Sequence, residues 1–167
     1  MESSFRQAVE WLEIDETGKE AKNDPSRAYN KFGVTEHMVK EWTGKTYSPG
    51  FSREEARDLL LKYKWIPLNC NKLPKGLDYW IFDCGYRFGP IAVKWLYYAL
   101  KLKGEKEEEK LLIEVLKTKI PRDVILEIDV YARKRLKVDP LWGECKHWWT
   151  NRTNRARDRA VKFSREI

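Results

Sequence analysis

A chain of 167 residues is long enough for one compact domain with a proper core, and its 42% hydrophobic and 35% charged content excludes a disordered chain. The formal charge of +7 is uneven, with seven Lys and Arg against two acids between Lys146 and Ile167, which favours anionic partners such as nucleic acid, acidic headgroups or wall polymers. Cys70, Cys84 and Cys145 are odd in number and give no disulfide framework, and no run approaches the roughly 18 apolar residues of a membrane span.

Chain order gives the elements. Phe5 to Asp15 places Phe5, Ala8, Val9 and Leu12 on one stripe, with Ser3 or Ser4 as N-cap and Gly18 as the break. Asn30 to Thr35 reads as a small strand or wing, followed by a short helix from Glu36 that Thr35 caps. Thr43 to Gly50 is a loop. Ser52-Arg53-Glu54-Glu55 is a capping box that opens a helix through about Lys64, with Ala56, Leu59, Leu60 and Tyr63 inward. After the Leu73 to Gly76 turn, Leu77 to Gly85 is apolar on several sides and reads as a central buried helix.

Gly89-Pro90 restarts the chain into a helix from Ile91 to about Lys101. The acidic run Glu105 to Glu109 suits a helix start. Pro121 opens another helix to about Val138, and Asp139-Pro140 turns the chain into a last helix from Trp142 toward Phe163. The expectation is a mainly α fold with seven or eight helices and one small β element. It forms a single domain over residues 1–167, divided at about residue 70 into an N-terminal lobe and a helical lobe.

Eight Trp and eight Tyr suit a groove that stacks on flat, partly apolar ligands such as sugar rings or bases. Cys145 and His147 lie close, yet no C-x-x-C or H-x-x-x-H spacing appears, so no metal and no cofactor are expected. Glu16 ends the first helix directly before Thr17-Gly18, with Asp24 eight residues on. A carboxyl half-buried against apolar helix neighbours can keep its proton for a leaving group. Glu13, one turn earlier, is the alternative acid.

Four stretches resemble the phage and bacterial muramidases of glycoside hydrolase family 108. They are Glu16-Thr17-Gly18 with Asp24-Pro25 and Asn30-Lys31-Phe32-Gly33-Val34-Thr35; Ser52 to Ala56 with Tyr63-Lys64-Trp65; Leu73-Pro74-Lys75-Gly76 with Phe82-Asp83, Gly89-Pro90 and Ala92 to Leu96; and Trp148-Trp149-Thr150-Asn151-Arg152. Thr17 replaces a motif glycine, Ser26-Arg27 replaces a glycine pair, Asn30 stands where Thr is usual and Trp148 where Gly is usual.

The resemblance implies a lysozyme-like two-lobed fold and hydrolysis of the β-1,4 bond between N-acetylmuramic acid and N-acetylglucosamine in peptidoglycan. It makes Glu16 the general acid, Asp24 the charge-stabilising or water-activating carboxylate and Asn30 a water-orienting amide. Tyr29, Phe32, Trp42 and Tyr47 flank the expected cleft as sugar-stacking residues, and Arg152 is placed to pin the last helix or to reach an acidic substrate group. The expected protein is a monomer made in the cytoplasm without a signal peptide, acting at the wall with help from a holin-like pore former. No stable nucleic-acid partner is expected, because Asp158 and Glu166 interrupt the basic run.

Overall fold

The computed structural model describes residues 2–17, 30–102 and 109–166. In chain order these form α1 (Glu2–Thr17), β1 (Asn30–Lys31), β2 (Val34–Thr35), α2 (Glu36–Thr43), α3 (Arg53–Leu60), α4 (Leu77–Phe88), α5 (Ile91–Ala99), α6 (Glu109–Lys117), α7 (Pro121–Lys137) and α8 (Trp142–Phe163). The expected mainly α architecture with a small β wing is what the chain forms.

The wing is an antiparallel hairpin in which Asn30 pairs with Thr35 and Lys31 with Val34. Its two-residue turn puts Phe32 and Gly33 at positive φ, 53° and 81°, as the right-handed twist of tight hairpins requires. Gly33 backs onto the Leu12 side chain, so the wing lies against α1. Thr35 then caps α2 by accepting from the Met38 amide at 3.1 Å, and both halves of the Ser52–Glu55 capping box form.

Three local expectations are corrected. Ser4 is not a cap: α1 already runs from Glu2, and the buried Ser4 hydroxyl bonds Asp78 instead. The helix from Ser52 does not stay α to Lys64; it passes at Leu61 into one π turn, Leu61–Trp65, where the Ile66 amide donates to the Leu61 carbonyl at 3.0 Å. This wider turn delivers Trp65 into the core against Phe5 and Phe82, at ring distances of 5.3 and 5.5 Å, a tertiary demand that local periodicity does not carry. α5 stops at Ala99 rather than Lys101, which takes a left-handed φ of 59°. Of the acidic run, Glu105 to Glu108 lie outside the described residues.

α4 is the hub. Every residue from Leu77 to Gly85 is buried, and the helix contacts α1, α5, α7 and α8. Its start fits closely beneath the end of α8: a Cβ on Gly76 (φ 86°) would sit 2.5 Å from the Ala160 carbonyl oxygen, so any larger residue would force the two helices apart.

Buried Asp78 in the first turn of α4 accepts from the Gly76 and Tyr79 amides at 2.8 and 2.6 Å. Burial pushes its carboxyl up to about 6, against the opposing pull of those amides and Ser4. The folded chain therefore holds this proton more tightly than the unfolded chain, and stability from Asp78 falls as pH rises from the ordinary value of 3.8 through about 6. The expected loss over that window is on the order of 3 kcal/mol. Urea unfolding between pH 4 and pH 7 reads it as a decline that Asp78→Asn flattens; equal pH slopes in the two proteins would refute the assignment.

Candidate active site

The end of α1 carries Glu13, Asp15 and Glu16, and its last turn has no basic residue, so three carboxylates crowd the negative end of a helix dipole. Arginines from elsewhere compensate. On α8, Arg152, Arg155 and Arg159 recur on one stripe at helical spacing. Arg152 donates from Nη2 and Nε to Glu16 Oε1 at 2.8 and 3.1 Å, and from Nη1 to Asp83 Oδ1 at 2.8 Å. Arg155 and Arg159 hold the two oxygens of buried Asp15 at 3.2 and 2.7 Å. Glu13 is held differently, by Arg53 of α3 at 2.9 Å.

Asp83 sits inside α4 with 1% of its surface exposed. Burial alone would raise its carboxyl, but Arg152 and Arg87 outweigh that and hold it below the usual carboxylate range. Arg87 reaches the second Asp83 oxygen at 2.8 Å and donates to Thr153 of α8 at 2.9 Å. Burial disfavours the charged form of Arg152, yet Asp83 and then Glu16 reverse this and hold its guanidinium well above the ordinary arginine value. Glu16, Arg152, Asp83 and Arg87 thus form one chain of two acids and two bases. It joins α1, α4 and α8.

The hairpin is tied to the same point. Asn30 is buried; its amide donates to the Glu16 carbonyl at 3.2 Å and its oxygen accepts from the Gly33 amide at 3.2 Å. Tyr47 donates its hydroxyl to the Val34 carbonyl and packs on Phe51 at 4.8 Å. The Phe32 ring faces Arg53, the partner of Glu13, at 5.4 Å. Glu16, Asn30, Phe32, Tyr47 and Arg152 therefore gather round the end of α1 and the wing. Trp42 is engaged elsewhere, stacked on Tyr63 at 5.3 Å with the Lys64 ammonium 5.6 Å from its ring centre. Asp24 and Tyr29 lie outside the described residues.

Tyr86 was not among the expected site residues. It lies three positions after Asp83 on α4 and is half-buried. Burial, followed by the charge of Glu16, pushes its phenol well above the ordinary value, and Asp83 and Tyr47 act in the same direction. The i, i+3 spacing from Asp83 was the available signal. Trp148 and Trp149, half-buried, share the Arg152 face one turn earlier on α8.

The arginine crowd of α8 is accounted for by carboxylates: Arg152, Arg155 and Arg159 as above, and Arg157 by Asp158 at 2.7 Å and Asp129 at 3.6 Å. All three cysteines are buried. Burial pushes the Cys70 and Cys84 thiols upward, so both remain protonated and unreactive.

The family model described as Glycosyl hydrolase 108 matches residues 13–89, which begin at the last turn of α1 and take in the wing and α2 to α4. The structure of Brucella abortus SagA aligns with 99% of this chain and 98% of its own at 25% identity, with a TM-score of 0.79. The chain is similar to the glycosyl hydrolases of family 108. No curated protein sequence matches it. The likeness to SagA continues through α8 and takes in the whole lysozyme-like array. The Arg152 clamp belongs to that array although it lies past residue 89.

Proposed function

We propose that this chain is a family 108 N-acetylmuramidase that cleaves the β-1,4 bond between N-acetylmuramic acid and N-acetylglucosamine, with Glu16 as general acid. The observation that carries the reading is the way Glu16 is held. Both Arg152 bonds fall on Oε1 and the residue's own carbonyl is bound by Asn30, so the acid has a fixed direction at the mouth of the wing. Fixed direction is what proton transfer to a glycosidic oxygen requires. A glycan strand laid along the wing would stack on Phe32 and Tyr47 and would exclude water above the carboxyl.

Asp24 is the second carboxylate. It stays ionised, stabilises the oxocarbenium-like charge or activates water, and the remaining amide hydrogen of Asn30 orients that water. A separation of about 6.5–9.5 Å between the two carboxyls gives inversion, about 5–5.5 Å retention. The biological setting is phage-type lysis or wall penetration, with a holin-like pore former giving passage from the cytoplasm to the wall.

A second reading draws on the same contact. An acid gripped by a buried arginine also suits a structural ion pair, and the chain would then bind glycan without cutting it. Digestion of purified cell walls, followed by mass spectrometry of the soluble fragments, separates the two. New muramic acid reducing ends are expected. Peptide or amide cleavage products would overturn the glycosidase chemistry, and wall binding without fragments would establish the second reading.

A further inference from the structure

Ten large apolar side chains are exposed among the described residues, and five of them, Ile120, Leu126, Val130, Val138 and Leu141, lie on α7 or at its two ends. Single exposed side chains are ordinary on any surface, but a row along one element is not. The row projects furthest at the corner where α7 turns into α8. Val138 there is 73% exposed, the most of the ten, and Leu141 is 43% exposed across the Asp139-Pro140 bend. Val130 lies about two turns back on the outer face of α7, and half-buried Tyr131 and Trp142 flank the corner.

Charge is uneven at the same place. From Val130 to Lys146 the chain carries five Lys and Arg against two acids. Arg133 is taken up by Asp129 at 2.8 Å, and Arg135 lies 3.9 Å from Asp139. Lys134, Lys137 and Lys146 are exposed, with the Lys134 ammonium 5.9 Å from the Tyr131 ring centre. Cations alone would suit any anionic polymer. Projecting aliphatic side chains beside an indole gain nothing from such a partner, whereas the boundary between lipid headgroups and acyl chains accepts both. No helix among the described residues is long and apolar enough to cross a membrane, so the contact is peripheral.

We propose that the α7–α8 corner is a docking site for an anionic phospholipid surface. Val138 and Leu141 enter the headgroup–acyl boundary, and Lys134, Lys137 and Lys146 meet lipid phosphates. Such surfaces sink about 5–10 Å into the boundary, whereas α8 rises about 16 Å between Leu141 and Arg152. Docking therefore leaves the Glu16 cluster uncovered. The proposal does not rest on the muramidase reading.

The full chain should sediment with vesicles of phosphatidylglycerol mixed into phosphatidylcholine and stay in solution with phosphatidylcholine alone. Binding should weaken as salt rises. Lys137→Gln and Lys146→Gln should each lower the partition coefficient about fivefold. Val138→Asp should lower it about tenfold or more, because a carboxylate replaces an inserted aliphatic group and meets like charge. Lys45→Gln makes the same charge change at an exposed position after α2 and should leave binding unaltered. All four positions are exposed, so the fold is kept. The three cysteines are buried, which lets an environment-sensitive dye on Val138→Cys report the corner alone. Its emission should move to the blue only with phosphatidylglycerol vesicles.

Equal losses in Lys45→Gln and Lys137→Gln would reduce the effect to net charge and overturn the corner assignment. Undiminished binding by Val138→Asp, or a dye that stays in water, would overturn insertion. A chain that releases reducing ends from walls but sediments with neither vesicle would remove the docking site alone. One that binds the vesicles and releases no reducing ends would sink the muramidase reading and leave the docking site standing.

Discussion

Glu16→Gln is expected to reduce release of reducing ends from purified walls by about 10²–10⁴-fold, the contribution of a positioned general acid, while leaving the fold intact. The amide oxygen of Gln still accepts from Arg152, so the contacts at 2.8 and 3.1 Å to that side-chain position keep a partner, but no transferable proton remains. Glu13→Gln is the control. That residue faces Arg53 on α3, and its loss should cost less than a few-fold in rate. If Glu13→Gln is the inactive variant and Glu16→Gln clears walls normally, the acid lies one turn earlier and Glu16 is only a strut.

Arg152→Met is expected to be the most destabilising single change at the site, by about 3–5 kcal/mol, because it withdraws the cation from a carboxylate already out of water. Asp83 has 1% of its surface exposed and would keep Arg87 alone; Glu16 would lose both Arg152 bonds. Arg152→Lys should recover little, since one ammonium cannot reproduce a fork that spans two carboxylates. Adding Asp83→Asn to Arg152→Met should return much of the stability, measured by urea unfolding, but none of the activity. Additive losses in the double variant would show that the two residues do not act as a unit.

The legible parts of this fold are those whose cause is local. The Ser52–Glu55 capping box, the Thr35 cap and the apolar run of α4 each need only a few neighbouring residues, and each forms as the sequence suggests. The π turn at Leu61–Trp65 was hidden because it answers to Trp65 packing on Phe5 and Phe82. At the site, Glu16 stood out by its helix-end position, and Arg152 by its place in a motif. Their union, and the pairing of Asp15 with Arg155 and Arg159, joins segments at the two ends of the fold. No window of local sequence contains both partners. Tyr86 was missed for a related reason, since its significance comes from the charges around it rather than from its own neighbours.

The separation of 136 positions between Glu16 and Arg152 has a consequence for timing. During synthesis the acid emerges from the ribosome early and its guanidinium brace very late, after seven helices have already been made. A nascent chain that ends at α7 carries Glu16 without Arg152, so this ion pair, and the junction of α1 with α8 that it makes, can close only in the last docking step.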